Sequence, residues 1–361
     1  MKAANYARRL ARLRKRIEAE NLDAVLISRL PHVRYLCGYS GSNGLLFVSG
    51  NRACFFTDSR YTEQARKEVR GAQVVVDQRD IWKNLLKIKE ASRPRIKIGF
   101  QAQFVSHQQH RSLRHMLPKA LLAGVEDIVE PLAMVKDAEE IAAIQKAAEI
   151  SDKGFAEILK YIRPGVREIE IAAELEYIMR KAGSEDTPFR TIVASGARSG
   201  MPHGVASAKK IARGDLVTLD FGARYEGYIS DITRTIVVGK PTARQKKIYN
   251  LVRRAQKAAL GRIKTGMTGV AADRVARKLF ERAGHGEHFA HGLGHGIGLE
   301  VHERPALSPR STDTLARGMV ATVEPGLYFT GWGGVRIEDD VVITSRGVKV
   351  LNKAERALIS V

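Results

Sequence analysis

Val217-Thr218-Leu219-Asp220-Phe221-Gly222-Ala223-Arg224-Tyr225-Glu226-Gly227-Tyr228-Ile229-Ser230-Asp231-Ile232-Thr233 reads as two strands around a turn. Val217–Phe221 and Ile229–Thr233 are rich in β-branched and aromatic residues, and Arg224–Gly227 between them forms a four-residue loop ending in glycine. Pairing Ala223 with Tyr228 sets Asp220 directly opposite Asp231, with Cβ atoms about 4.5–5.5 Å apart. Like charges so placed destabilise a sheet unless a cation lies between them, so this hairpin predicts a metal. Val320–Glu324 and Val335–Glu338 flank the turn-rich Thr330–Gly334 and offer two further carboxylates at strand ends.

The nitrogen ligand comes from His291-Gly292-Leu293-Gly294-His295-Gly296-Ile297-Gly298-Leu299-Glu300-Val301-His302-Glu303. A helix through this run would carry four glycines, each costing about 1 kcal/mol relative to alanine. The segment is therefore expected as an irregular strand whose glycines let metal and substrate approach the backbone. His295 is the expected ligand, while His285 and His288 read as helix-end residues. Four carboxylates and one imidazole form an oxygen-rich site that favours Mn²⁺, with Co²⁺, Zn²⁺ or Fe²⁺ as alternatives. Two ions about 3.5–4 Å apart can share a hydroxide and polarise a carbonyl, chemistry suited to amide hydrolysis without a covalent intermediate. No G-x-S-x-G elbow or H-E-x-x-H helix competes with this reading.

The remaining composition bounds the setting. A chain of 361 residues predicts two domains. Cys37 and Cys54 lack metal-like spacing and read as reduced, buried thiols. The N-terminus has no apolar run of signal-peptide type, and no stretch reaches the roughly 20 apolar residues of a membrane span, so a cytoplasmic protein without membrane contact is expected. The net charge of +21 is spread along the chain. Its densest run, Arg8–Arg16, has Leu10, Leu13 and Ile17 at helical spacing, so it predicts a solvated helix face and no specific nucleic-acid partner.

The first third alternates helix and strand patterns: helices over 6–20, 61–69 and 81–90, strands at 24–27, 74–76 and 96–100, and a hairpin joining 45–48 to 53–56. An α/β domain over 1–131 is expected, followed by a second domain over 132–361. The second opens with a helix from Asp137 to about Ile162, capped by Asp137, and continues with helices over 168–182, 244–263 and 269–283 among strands.

These motifs resemble those of the pita-bread metallopeptidases, which include Xaa-Pro aminopeptidases, prolidases and methionine aminopeptidases. The similarity runs through most of 135–350 and lies in Thr218–Ala223, Ser230–Thr235, His291–Leu299, Val323–Gly326 and Gly334–Asp339. It implies an α+β pita-bread catalytic domain of creatinase/aminopeptidase type, in which Asp220, Asp231, His295, Glu324 and Glu338 hold two metals and Asp231 and Glu338 bridge them. It further implies that Glu324 is the general base, that His203 lies near the scissile nitrogen and His302 near the oxyanion, and that His291 and Arg336 contact substrate. Leu30–Ser42 and Phe56–Tyr61 resemble the creatinase-type N-terminal domain, which in relatives supports a homodimer. That domain favours the Xaa-Pro branch over methionine aminopeptidases. The function so implied is an aminopeptidase cutting the N-terminal Xaa-Pro bond of proline-containing peptides, with an Xaa-Pro dipeptidase (prolidase) as the alternative. A metal-free creatinase-like hydrolase and a catalytically silent relative fit less well, because all five ligand positions are intact.

Overall fold

The structure is a computed structural model and describes residues 3–77 and 80–361. It divides into two compact units, the first ending at Ala133 and the second beginning at Met134.

In the first unit, helix α1 (Ala3–Ala19) buries Leu10, Leu13 and Ile17 and turns Arg8, Arg12 and Lys15 outward. Arg9 is the exception on this helix: it is buried, donates to the Tyr35 carbonyl at 2.9 Å and lies over the Tyr35 ring. Strand β1 (Ala24–Ile27) is apolar on both faces and central, as a near-continuous aliphatic run requires. Helix α2 (Leu30–Cys37) follows it, ending at Gly38 in the left-handed region (φ 87°). Strands β2 (Leu45–Ser49) and β3 (Ala53–Asp58) form the expected hairpin, with Leu45 opposite Phe56. Then come α3 (Thr62–Glu68), β4 (Gln73–Asp77), β5 (Lys97–Gln101), α4 (His107–Met116), β6 (Leu121–Val125) and the single turn α5 (Glu130–Ala133). The sheet order is β4-β3-β2-β1-β5-β6, mixed parallel and antiparallel. The helix expected over 81–90 is a 3₁₀ segment, Ile81–Lys87. Cys37 and Cys54 are buried and unpaired.

The second unit consists of antiparallel sheets, the two larger of which are each covered by a helix pair. Helix α6 (Ala138–Ile158) starts at the expected cap: the Asp137 carboxylate accepts the N–H groups of Glu139 and Glu140, and the Glu140 side chain reaches back to the Asp137 N–H. It ends one turn earlier than its sequence pattern. With α7 (Glu168–Lys181) it packs Phe155, Ile158, Leu175 and Met179 against β7 (Ile192–Ser195), β8 (Leu216–Phe221) and β11 (Ile232–Val237), ordered β11-β8-β7. The short pair β9 (Arg224–Tyr225) and β10 (Tyr228–Ile229) extends the β8/β11 ribbon. Helices α8 (Ala243–Arg262) and α9 (Gly269–Arg282) join the second core, where Val252, Ala255 and Phe280 cluster with Leu293, Ala321 and Val341. That core belongs to the sheet β13-β12-β14-β17-β18, built from β12 (Gly294–Gly296), β13 (Glu303–Leu307), β14 (Val320–Val323), β17 (Asp339–Ile343) and β18 (Val348–Val350). A separate ribbon pairs β15 (Gly326–Phe329) with β16 (Gly333–Arg336).

Candidate metal centre

Both carboxylate pairs sit where an antiparallel ladder is interrupted, but in different registers. In the first ribbon Asp220 pairs with Thr233 and Phe221 with Ile232, so Asp220 and Asp231 are not the direct partners expected. The reason lies in the turn. Tyr225 pairs with Tyr228, leaving a two-residue loop of Glu226 and Gly227, both with positive φ (49° and 80°). That backbone is a type I′ turn, which matches strand twist better than a four-residue loop. The register moves by two residues, so Asp231 stays on the face of Asp220 as its diagonal neighbour. Gly222 falls opposite Asp231, where a Cβ would sit 2.0 Å from the Ser230 carbonyl oxygen.

The glutamates have the direct register instead. Val323 pairs with Asp339 in β14/β17, and Gly326 pairs with Arg336 in β15/β16. The two ladders bracket the gap and set Glu324 opposite Glu338. Val335 and Arg336 pair with Leu327 and Gly326 across the turn.

His295 lies on β12 as expected, beside a bulge against β13. The glycines around it serve the sheet first. A Cβ at Gly294 would lie 2.1 Å from the Thr322 carbonyl oxygen, and one at Gly296 would lie 2.3 Å from that of Arg304. Neighbouring strands, rather than the expected approach of substrate and metal, exclude side chains at these two positions. His295 Nδ1 lies 3.1 Å from the Gly296 carbonyl oxygen, which can only accept, so Nδ1 carries the proton and Nε2 keeps its lone pair. That lone pair faces Glu324 Oε1 at 3.4 Å and Asp231 Oδ2 at 3.8 Å.

Asp231, His295 and Glu338 each offer a ligand atom within 4.8 Å of the others. Asp220 and Glu324 line the same cavity, of about 480 Å³, together with His203, His291, His302 and Arg336. Every residue singled out for the site thus borders one space, whereas His285 and His288 lie against Phe329 outside its lining. Burial, followed by the neighbouring carboxylates Glu338 and Asp220, pushes the Asp231 carboxyl far above the usual range. Burial and Glu324 do the same to Glu338. Burial also raises Glu324 and lowers His291, His295 and His302. Asp231 Oδ1 is buried with no hydrogen-bond donor in reach. A buried carboxylate with an idle oxygen, crowded by other carboxylates and by an imidazole lone pair, fits a divalent cation and is costly without one.

Several supporting residues carried no role in the sequence reading. Thr233 Oγ1 donates to Glu338 Oε2 at 2.5 Å and accepts from Arg336 Nε at 2.9 Å. It lies two residues past Asp231 on the same strand face, which was the available signal. The Thr322 hydroxyl accepts the His295 N–H and donates to Glu324 Oε1, both at 3.1 Å. Arg336 does more than line the cavity: it donates to Asp220 Oδ2 and to the Tyr328 hydroxyl, each at 2.6 Å. The Tyr328 hydroxyl in turn donates to His291 Nε2 at 2.8 Å, because His291 Nδ1 is committed to the Gly292 carbonyl. Beneath the candidate ligands, buried Arg234 spans Asp339 Oδ1 and the carbonyls of Thr233 and Glu338, while Asp340 Oδ2 accepts the Asp231 N–H. Such outer partners fix the orientation of ligand strands and side chains.

Fold and site together define a metal-dependent hydrolase. The profile of metallopeptidase family M24 matches residues 142–345, and that of the creatinase/prolidase N-terminal domain matches 9–135. The chain belongs to metallopeptidase family M24, with the pita-bread catalytic fold behind a creatinase-type N-terminal domain. It is 41% identical over 352 residues to an Xaa-Pro dipeptidase of Pyrococcus furiosus, an alignment spanning 97% of this chain and 99% of that one. Among solved structures it is similar to an Xaa-Pro dipeptidase from Bacillus anthracis (TM-score 0.95, 43% identity, 99% and 100% of the two chains). An X-Pro aminopeptidase from Thermotoga maritima MSB8 is also similar (TM-score 0.90, 41% identity, 98% and 99%).

Proposed function

We propose that the protein is an Xaa-Pro dipeptidase whose five candidate ligands, Asp220, Asp231, His295, Glu324 and Glu338, hold two divalent ions. The observation carrying this reading is the lone pair of His295 Nε2 directed at Glu324 and Asp231, with an idle buried oxygen on Asp231. When bound, the ions supply Lewis acidity for the scissile carbonyl and for water. Glu324 moves the proton: it borders the cavity and lies 3.4 Å from His295 Nε2. His302 stands beside His295, with ring centroids 4.4 Å apart, and in this reading donates to the developing oxyanion, while His203, which lines the same cavity, serves the leaving nitrogen. His291 and Arg336 contact substrate while joined through Tyr328. Phe189, Ile192, Pro202, Val205 and Val301 supply apolar wall for the proline ring and its neighbour.

Dipeptides take precedence because the names of the Pyrococcus and Bacillus relatives point to them. The Thermotoga aminopeptidase, with closely similar identity to this chain, supports the second reading, removal of the residue before proline from longer peptides. Manganese as the resident ion, a homodimer and a cytoplasmic setting belong to the same proposal. Mn²⁺-loaded protein should hydrolyse Leu-Pro faster than Leu-Pro-Gly and lose activity to a chelator. Preference for the tripeptide would select the second reading, and hydrolysis of neither under any divalent ion would overturn both.

A further inference from the structure

Two arginines line the cavity, Arg190 and Arg336. Arg336 serves Asp220, Tyr328 and Thr233. Arg190 differs. It lines the cavity, is exposed to solvent, and has no hydrogen-bond or ion-pair partner among the described residues.

Its placement follows from the strand it precedes. Ile192 opens β7 and pairs with Asp220, so the Ile192 row runs beside a candidate metal ligand. Thr191 points away, its hydroxyl donating to Glu176 Oε1 at 2.7 Å. Arg190 and Ile192 both line the cavity, about 7 Å apart along an extended chain. Arg190 both lines the cavity and is exposed, so it stands at the cavity's solvent side, two residues before the Ile192 that pairs with Asp220. Phe189 and Ile192, its neighbours along the chain, line the same cavity. An unpaired planar fork of donors fits a carboxylate in two-point contact.

We infer that Arg190 forms a carboxylate-recognition subsite at the mouth of the catalytic cavity, so that the enzyme selects peptides bearing a carboxylate within one residue of the cleaved bond. This rests on the peptidase reading above. The carboxylate comes either from the C-terminus of a dipeptide or from an acidic side chain at the residue before proline.

The test uses metal-loaded wild type, Arg190→Gln and Arg190→Lys with three substrates: Leu-Pro, Leu-Pro-amide and Asp-Pro-amide. Arg190→Gln should raise KM about 10- to 100-fold for a carboxylate-bearing substrate, the range of a lost charge-assisted pair, with kcat within about twofold. Leu-Pro-amide, which has no carboxylate, should be unaffected, and Arg190→Lys should restore part of the loss. A loss on Leu-Pro identifies the C-terminus as the source, and a loss on Asp-Pro-amide identifies the side chain. Equal losses on all three substrates, or no loss on either carboxylate-bearing one, overturn the subsite and leave the peptidase reading standing. Wild type that cuts none of the three overturns both.

Discussion

His295 and His32 are both enclosed imidazoles lowered by burial, yet they are built for opposite purposes. Gln101 holds His32. Its Oε1 accepts the N–H groups of Ser28 and Arg29 at 3.0 and 3.1 Å, so its amide nitrogen must be the group 2.7 Å from His32 Nδ1. Nδ1 therefore accepts, and the ring proton sits on Nε2, 3.9 Å from Glu130 Oε1. His295 has the reverse tautomer, with Nδ1 donating to a carbonyl and Nε2 open toward two carboxylates. Burial alone does not mark a metal ligand. The distinguishing signs are which nitrogen keeps its lone pair and how many carboxylates meet it.

The sharpest way to break this comparison is to remove each ring. His295→Ala should lower kcat/KM more than about 100-fold, since even partners of metal ligands typically cost 10- to 100-fold. His32→Asn should leave kcat/KM within about twofold and act on stability. Steady-state kinetics beside thermal melts would check both, and a large kinetic loss at His32 would erase the distinction.

Glu324→Gln asks whether the group facing the His295 lone pair is chemically active. It should lower kcat by about 10²- to 10⁴-fold while peptide affinity, measured by calorimetry, stays near wild type. Unchanged turnover would remove the base assignment.

Acid sensitivity gives the smallest effect. Burial first, and the Arg29 charge second, hold His32 at about 3 against an ordinary 6.5. Between those values the unfolded chain binds the extra proton, so stability rises with pH and falls on acidification. The loss from pH 7 to pH 5 should be about 2 kcal/mol for this one group. Denaturant melts at both pH values should show a smaller acid loss in His32→Asn than in wild type; equal losses would contradict the sealed-imidazole reading.

Much of this was legible in the sequence. Strand alternation placed Asp220 and Asp231 on one face, and glycine density kept His295 off a helix. The register was not legible, because it depends on Glu226 adopting positive φ, which a non-glycine residue seldom does. The aspartates are therefore diagonal neighbours, whereas the glutamates, for which the sequence offered no register, are directly opposed. The role of the glycines was also hidden: Gly294 and Gly296 answer to carbonyls of strands distant in sequence. The Arg234–Asp339 pair joins residues more than a hundred positions apart, and no local pattern announces it. The same holds for Gln101, whose amide selects the His32 tautomer from 69 residues away.

The central claim is that the site around His295 is a dinuclear metal centre. Titrating metal-free protein with Mn²⁺ in a calorimeter tests it most directly, with Asp231→Asn as the companion variant. The account predicts two ions per chain in the wild type, a rise in melting temperature on loading, and loss of at least one ion in the variant. Wild type that binds no Mn²⁺, or a variant that binds as wild type does, would contradict it.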